Sequence, residues 1–73
     1  MNSVQERLFQ MRLNDIYQKH SWLSDEISIE DFTKLFPVEY KNNKALTPNR
    51  PAEIDLDRDI FLEVLVAFRQ SFN

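Results

Sequence analysis

Residues 60–68 read IFLEVLVAF, the most continuous apolar stretch of the chain, interrupted only by Glu63. The β-branched residues in it also suit a strand, but the apolar pattern extends over residues 56–72, which is long for a strand in a small domain. The sequence therefore predicts a helix over 56–72, which Asp55 or Asp57 can cap. At about 100° per residue, one broad arc of this helix carries Ile60, Phe61, Val64, Leu65, Ala67, Phe68 and Phe72.

Leu62 and Val66 lie off this arc, one turn apart on the opposite face. A helix that is apolar on nearly all sides is either buried all round or paired with another element. A chain of 73 residues has little material for enclosing a helix, because a domain of this size buries only about 60% of the surface that its unfolded chain exposes. The sequence therefore predicts that Leu62 and Val66 contact a partner.

Length and composition limit the kinds of site and the classes of protein that this sequence can represent. The length of 73 residues predicts one domain, residues 1–73, with a formal net charge of −3. The chain has no glycine and no cysteine, which excludes glycine-rich phosphate loops, thiol chemistry and cysteine-based zinc sites. The longest apolar run is about half of what a membrane-spanning helix needs. We therefore expect a soluble, cytoplasmic protein that carries no cofactor and does not enter a membrane.

The N-terminal part of the chain has the signals of a first helix. Ser3 and Glu6 match a capping box, so the helix should run from about Val4 to His20. One face of it carries Phe9, Leu13, Ile16, Tyr17 and His20, and a smaller stripe on nearly the opposite side carries Val4, Leu8 and Met11. The small stripe is either a partly exposed first turn or a ridge that faces a partner.

The next stretch breaks the first helix and starts a second. Trp22, the single tryptophan, either seals the corner between helices or anchors a partner, since tryptophan is enriched in interface hot spots. Ser28 and Asp31 resemble a second capping box. The helix that follows should be short and end near Phe36, because Pro37 disfavours helical geometry in the residue before it.

Residues 37–51 are predicted to form a long loop, since asparagine and proline recur in them. Ile27 and Ile29 alternate with polar residues, as do Ile54 and Leu56, so a tiny two-stranded ribbon between the two pairs is one alternative for the middle of the chain. The fold expected overall is a small, mostly all-α domain of three helices with a long central loop.

The sequence offers little for catalysis. His20 is the only histidine, and its place on the apolar face of the first helix favours a packed or edge-exposed side chain over a general base. Asp55, Asp57 and Asp59 resemble the opening of a calcium loop, but Ile60 stands where that loop needs glycine and Val66 where it needs glutamate. We therefore expect neither an enzyme nor a metal site.

Five acids concentrate around the start of the last helix. Acids at this place are favoured by the helix dipole and by solvation, and they would also suit a basic partner. This acidic patch consists of Glu53, Asp55, Asp57, Asp59 and Glu63.

The sequence favours a non-enzymatic protein–protein interaction module or regulatory subunit. A homodimer is its simplest form, because two-fold dimers are the commonest oligomers. The alternative is a small winged-helix or helix-turn-helix nucleic-acid-binding protein that uses Lys41, Lys44 and Arg50 of the loop, although the expected basic recognition surface is missing. The candidate partner-binding residues are Leu8, Met11, Trp22, Leu62 and Val66.

Overall fold

The computed structural model describes residues 4–42, 44–45 and 57–72. The prediction of a small, mostly helical domain is confirmed, and the described residues also form a two-stranded ribbon. The described residues hold one helix more than the sequence predicted, and it is a single turn. The helices and strands are α1 (Val4–Lys19), α2 (Leu23–Glu26), α3 (Ile29–Lys34), β1 (Tyr40–Lys41), β2 (Lys44–Ala45) and α4 (Arg58–Phe72).

Helix α4 is the helix that the apolar stretch predicts, and it begins at Arg58. Oδ1 of Asp57 accepts a hydrogen bond from the backbone N–H of Asp59 at 3.0 Å. Asp57, one of the two predicted caps, therefore satisfies a backbone donor that the first turn leaves without a helical partner. Asp55, the other predicted cap, lies outside the described residues.

Helix α1 packs against both α4 and α3. It ends at Lys19, one residue before the predicted end, and buries Phe9, Leu13 and Ile16. The hydroxyl of Tyr17 donates to the backbone oxygen of Ile27 at 2.6 Å. This bond joins the C-terminal half of α1 to the segment between α2 and α3. The predicted cap of α1, Ser3, lies outside the described residues.

Ser28 is the N-cap of α3, as its spacing from Asp31 predicts. Its backbone is extended, and its Oγ accepts a hydrogen bond from the backbone N–H of Asp31 at 3.2 Å. The short helix carries Phe32 into the core, and Phe36 follows just beyond its end. A helix this short is marginal in isolation, so its stability depends on the burial of these aromatic rings.

The core is a series of aromatic rings at the meeting of α1, α3 and α4. Phe9 meets Phe68 edge to face, with ring centroids 5.5 Å apart, and Phe32 meets Phe36 in the same manner at 5.4 Å. Such contacts add to the area that the rings bury. Within the described ranges, the fully or nearly fully buried apolar residues are Phe9, Leu13, Ile16, Leu23, Phe32, Phe36, Ile60, Val64, Ala67 and Phe68.

The ribbon lies inside the predicted loop and not where the sequence placed it. Tyr40 pairs with Ala45 and Lys41 with Lys44, and Asn42 adopts a positive φ of 53° at the turn. Asparagine tolerates this conformation better than most residues, which matters in a chain without glycine. Ile29 is not in a strand, because the cap at Ser28 starts α3 there. Ile54 and Leu56 lie outside the described residues.

Candidate functional site: a groove between α1 and α4

A groove of about 370 Å³ runs along the seam between α1 and α4. The two helices are antiparallel across it, since Arg12 contacts Gln70 while Lys19, two turns later in α1, contacts Glu63, two turns earlier in α4. The groove is lined by Arg12, Asp15, Ile16, Leu62, Glu63, Val66, Ala67 and Gln70.

Leu62 and Val66 form the exposed apolar wall of the groove. Leu62 is 47% exposed and Val66 is 52% exposed, whereas Ile16 and Ala67, which line the same groove, are buried. The structure therefore brings together the two residues of α4 that the sequence singled out. Ile16 and Ala67 form a buried apolar floor beneath these two side chains.

The polar wall of the groove consists of Arg12, Glu63 and Gln70. Each of these side chains makes a hydrogen bond within the chain. Nη1 of Arg12 donates to Oε1 of Gln70 at 2.9 Å. Nε of Arg12 is buried and has no hydrogen-bond partner among the described residues. Nζ of Lys19 donates to Oε1 of Glu63 at 2.9 Å, and Nε2 of His20 lies 2.5 Å from Oε2 of the same carboxylate. Both oxygens of Glu63 are therefore occupied by groups from the end of α1.

These contacts lower the pKa of Glu63 below its ordinary value of 4.5. The hydrogen bond from Lys19 is the largest cause, and the hydrogen bond from His20 and the charges of both groups act in the same direction, while partial burial opposes them. His20 is partly buried at this seam. Glu63 is thus held ionised by its neighbours at the edge of the groove.

The other candidate partner-binding residues lie elsewhere. Leu8 is 39% exposed on α1, one turn before Arg12. Met11, at 64% exposed, lines a separate shallow groove between α1 and α3, together with Ile29. Trp22 is 44% exposed at the turn before α2, where Leu23 and not the tryptophan fills the buried position. The five candidates therefore do not form one surface.

The acids of the predicted acidic patch have different surroundings. Glu53 and Asp55 lie outside the described residues. Asp57 caps α4, Asp59 is exposed in its first turn, and Glu63 contacts α1. Among the described residues, no group of three or more histidine, aspartate or glutamate side chains is arranged to hold a metal ion.

The sequence alone does not indicate the contribution of α1 to the groove. Arg12, Asp15 and Gln70 are ordinary polar positions on their own helices, and nothing local marks them as neighbours. A further cleft of about 560 Å³ between α1 and α3 is also not indicated by the sequence, with Phe9, Leu13 and Phe36 among its lining residues and with Glu6 and Glu30 beside them. Both depend on contacts between residues that are far apart in the chain.

The basic loop residues are described in part. Lys41 and Lys44 are exposed on the ribbon, and Arg50 lies outside the described residues. No helix within the described ranges is both long and apolar enough to cross a membrane. No protein-family model, curated protein or solved structure matches this chain.

Proposed function

We propose that this protein is a non-enzymatic protein–protein interaction module, acting as a regulator or subunit, that docks through the groove between α1 and α4. The observation that carries the proposal is the exposure of Leu62 and Val66 on a helix whose Ile60, Val64 and Ala67 are buried. Apolar side chains beside a groove gain free energy when a partner removes them from water.

The polar wall supports the same proposal. Arg12 is already bonded to Gln70, and Lys19 to Glu63, before any partner arrives. Side chains that are ordered in advance lose less conformational entropy on binding. A partner that covers Leu62 and Val66 would therefore meet Arg12, Gln70 and Glu63 side chains that already have hydrogen-bond partners.

We place this activity in the cytoplasm. A domain of 73 residues without cysteine has no disulfide framework, whereas small secreted domains commonly depend on one. The partner is another protein or a second copy of this chain.

Photo-crosslinking from the groove tests the proposal. A photoreactive phenylalanine analogue replaces Val66 in one variant and Gln18, which is exposed on α1, in a matched control. Both variants are irradiated in extract from cells that make the protein, and the adducts are identified by mass spectrometry. We expect a defined adduct from position 66 that is absent from position 18 and is lost when Leu62→Glu is added.

An adduct with this chain itself would identify a second copy as the partner, and an adduct with a different protein would identify that protein. Identical adduct patterns from both positions, or no adduct from position 66, would overturn docking at the groove.

A second candidate, nucleic-acid binding, is favoured by one observation on the ribbon. Lys41 and Lys44 are paired directly across the two strands, and both are exposed. Like charges placed opposite each other destabilise a strand pair, and a phosphate backbone would relieve the repulsion. The exposed Glu30 and Asp31 in the first turn of α3 oppose this candidate.

Fluorescence anisotropy with a labelled DNA duplex and a labelled single strand, each at low salt, tests the second candidate. Binding should weaken steeply as salt is added and should be lost in Lys41→Glu with Lys44→Glu. The absence of binding at low salt would remove nucleic acid from consideration.

A further inference from the structure

Four exposed residues of α4 form a line along its outer face. Asp59, Leu62, Val66 and Arg69 are all exposed, and they follow one another at intervals of three, four and three residues. This is the spacing of the seam in a coiled coil, where alternate steps of three and four keep side chains facing a second helix. The two inner positions are apolar, and the two outer positions carry opposite charges.

The spacing of this seam is the same in both directions, and its two ends carry opposite charges. Apolar residues occupy the two inner positions, and the acid and the base stand at equal distances outside them. When two such helices lie antiparallel, Leu62 of each meets Val66 of the other, and Asp59 of each meets Arg69 of the other. In this arrangement, each of the four seam residues on both copies has a complementary partner on the other copy.

We infer that a second copy of this chain occupies the exposed face of α4, with the two α4 helices antiparallel about a two-fold axis. The inference rests on the proposed function, which it deepens by naming the partner and its orientation. A two-fold interface uses the same patch on both subunits, so the patch must complement itself, and this seam does.

Charge decides the direction of the pairing. A parallel arrangement would place Asp59 against Asp59 and Arg69 against Arg69, and like charges that face each other repel. Within the described residues the ion pairs all involve Glu63, with Lys19 and His20, so neither Asp59 nor Arg69 has an ion-pair partner there. The antiparallel arrangement supplies each of them with one.

Two residues beside the seam, Glu63 and Leu65, fit the same arrangement. Glu63 lies on one side, and its carboxylate is already bonded to Lys19 and His20, which reduces repulsion between the two copies. Leu65 lies on the other side and is half-buried, so it adds apolar surface at the edge of the contact.

The contact is small, and the dimer should therefore be weak. The seam lies on one helix of 15 residues, and its apolar part consists of two large side chains on each copy. Interfaces of this kind fall below the standard size of about 1,600 Å² and associate transiently. We expect monomer and dimer to exchange with concentration, which leaves the groove available to another protein at low concentration.

Sedimentation equilibrium tests the inference between about 10 µM and about 1 mM, the range that covers weak association. We expect the wild-type protein to change from monomer to dimer across this range and Leu62→Glu with Val66→Glu to stay monomeric. Asp59→Arg alone and Arg69→Asp alone should each weaken the dimer by about tenfold, since each creates two repulsive contacts. The double variant Asp59→Arg with Arg69→Asp should recover most of the lost affinity. Circular dichroism checks that each variant is folded.

Disulfide trapping gives an independent readout, because the chain has no cysteine of its own. Leu62→Cys and Val66→Cys variants are mixed and oxidised under mild conditions. Antiparallel pairing predicts that the mixed disulfide between positions 62 and 66 forms faster than either symmetric disulfide. Faster formation of the symmetric disulfides would overturn the antiparallel arrangement.

A wild-type protein that is monomeric at every concentration would overturn the inference but not the proposed function, which an adduct with a different protein at position 66 would still support. A dimer that survives Leu62→Glu with Val66→Glu would place the contact on another surface and would also overturn it. A monomer that gives no adduct at position 66 would overturn both.

Discussion

Nε2 of His20 lies 2.5 Å from Oε2 of Glu63, across the seam between α1 and α4. His20 directly follows the last residue of α1, and Glu63 lies in the N-terminal half of α4, so the two groups are 43 positions apart in the sequence. Lys19 binds the other carboxylate oxygen at 2.9 Å. The carboxylate of Glu63 therefore links the C-terminal end of α1 to the N-terminal half of α4.

The replacement Glu63→Gln should destabilise the domain by roughly 0.5–1 kcal/mol at neutral pH, the range for a partly exposed ion pair. Urea denaturation followed by circular dichroism measures the loss. Glu39→Gln is the matched control, because Glu39 is exposed outside the helices and strands and makes no ion pair among the described residues. An equal effect of both substitutions would contradict the role given to Glu63.

The same contact predicts a dependence on pH. Because the pKa of Glu63 is lowered in the folded protein, its stabilising contribution is fully present above the unfolded value near 4.5 and is lost as the pH falls through the lower folded pKa. Wild-type protein should therefore lose more stability than Glu63→Gln on acidification from pH 6 to about pH 3. Urea midpoints at both pH values, for both proteins, provide the comparison. Parallel losses would show that this carboxylate is not responsible.

Phe9 is a core position whose truncation should be strongly destabilising. It is 1% exposed and contacts the rings of Phe68 and Phe72. Phe9→Ala should cost about 3–5 kcal/mol, which approaches the whole stability of a domain of this size. Thermal unfolding should show an unfolded or barely folded protein.

Its neighbour Leu8 provides the matched control, because that side chain is 39% exposed. Leu8→Ala should change the free energy of unfolding by less than about 1 kcal/mol. A folded, cooperative Phe9→Ala protein would mean that the aromatic contacts are not central to the core.

Ser28→Ala should destabilise α3 through the loss of its N-cap. The Oγ that accepts the N–H of Asp31 at 3.2 Å disappears, which costs about 1 kcal/mol. Ser28→Asp keeps an acceptor at the cap and should retain most of the stability. The free energy of unfolding in urea distinguishes the three proteins, and equal values for Ser28→Ala and the wild type would contradict the cap.

Leu62→Glu and Val66→Glu should leave the free energy of unfolding within about 0.5 kcal/mol of wild type, because substitutions of exposed side chains outside the core have small effects. Val64→Ala is the contrasting variant, since Val64 is fully buried on the same helix and should lose about 2 kcal/mol or more. Urea denaturation at low protein concentration separates this stability effect from association. A large loss in the glutamate variants would show that these residues belong to the core.

Short-range patterns predicted three of the four helices in the described residues and the N-cap of α3. The recurrence of apolar residues every three or four positions identified α1 and α4, and the spacing of Ser28 from Asp31 identified the start of α3. These signals depend on residues within one or two helical turns of each other, so they can be recognised from the sequence alone. The alternative of a ribbon that includes Ile29 is wrong, because Ile29 lies in α3. The observed ribbon forms around the turn at Asn42, since strand pairing depends on the turn between the strands.

The sequence by itself determined which face of α4 is apolar, that Leu62 and Val66 lie off that face, and that Ser28 caps α3. Only the tertiary structure decided that Arg12 and Gln70 stand beside those two side chains, and that Met11 and Trp22 do not. The physical reason is the range of the interactions involved. Helical periodicity and capping are local, whereas a groove arises from packing between helices about 40 or more residues apart, which the burial of the shared aromatic core brings together.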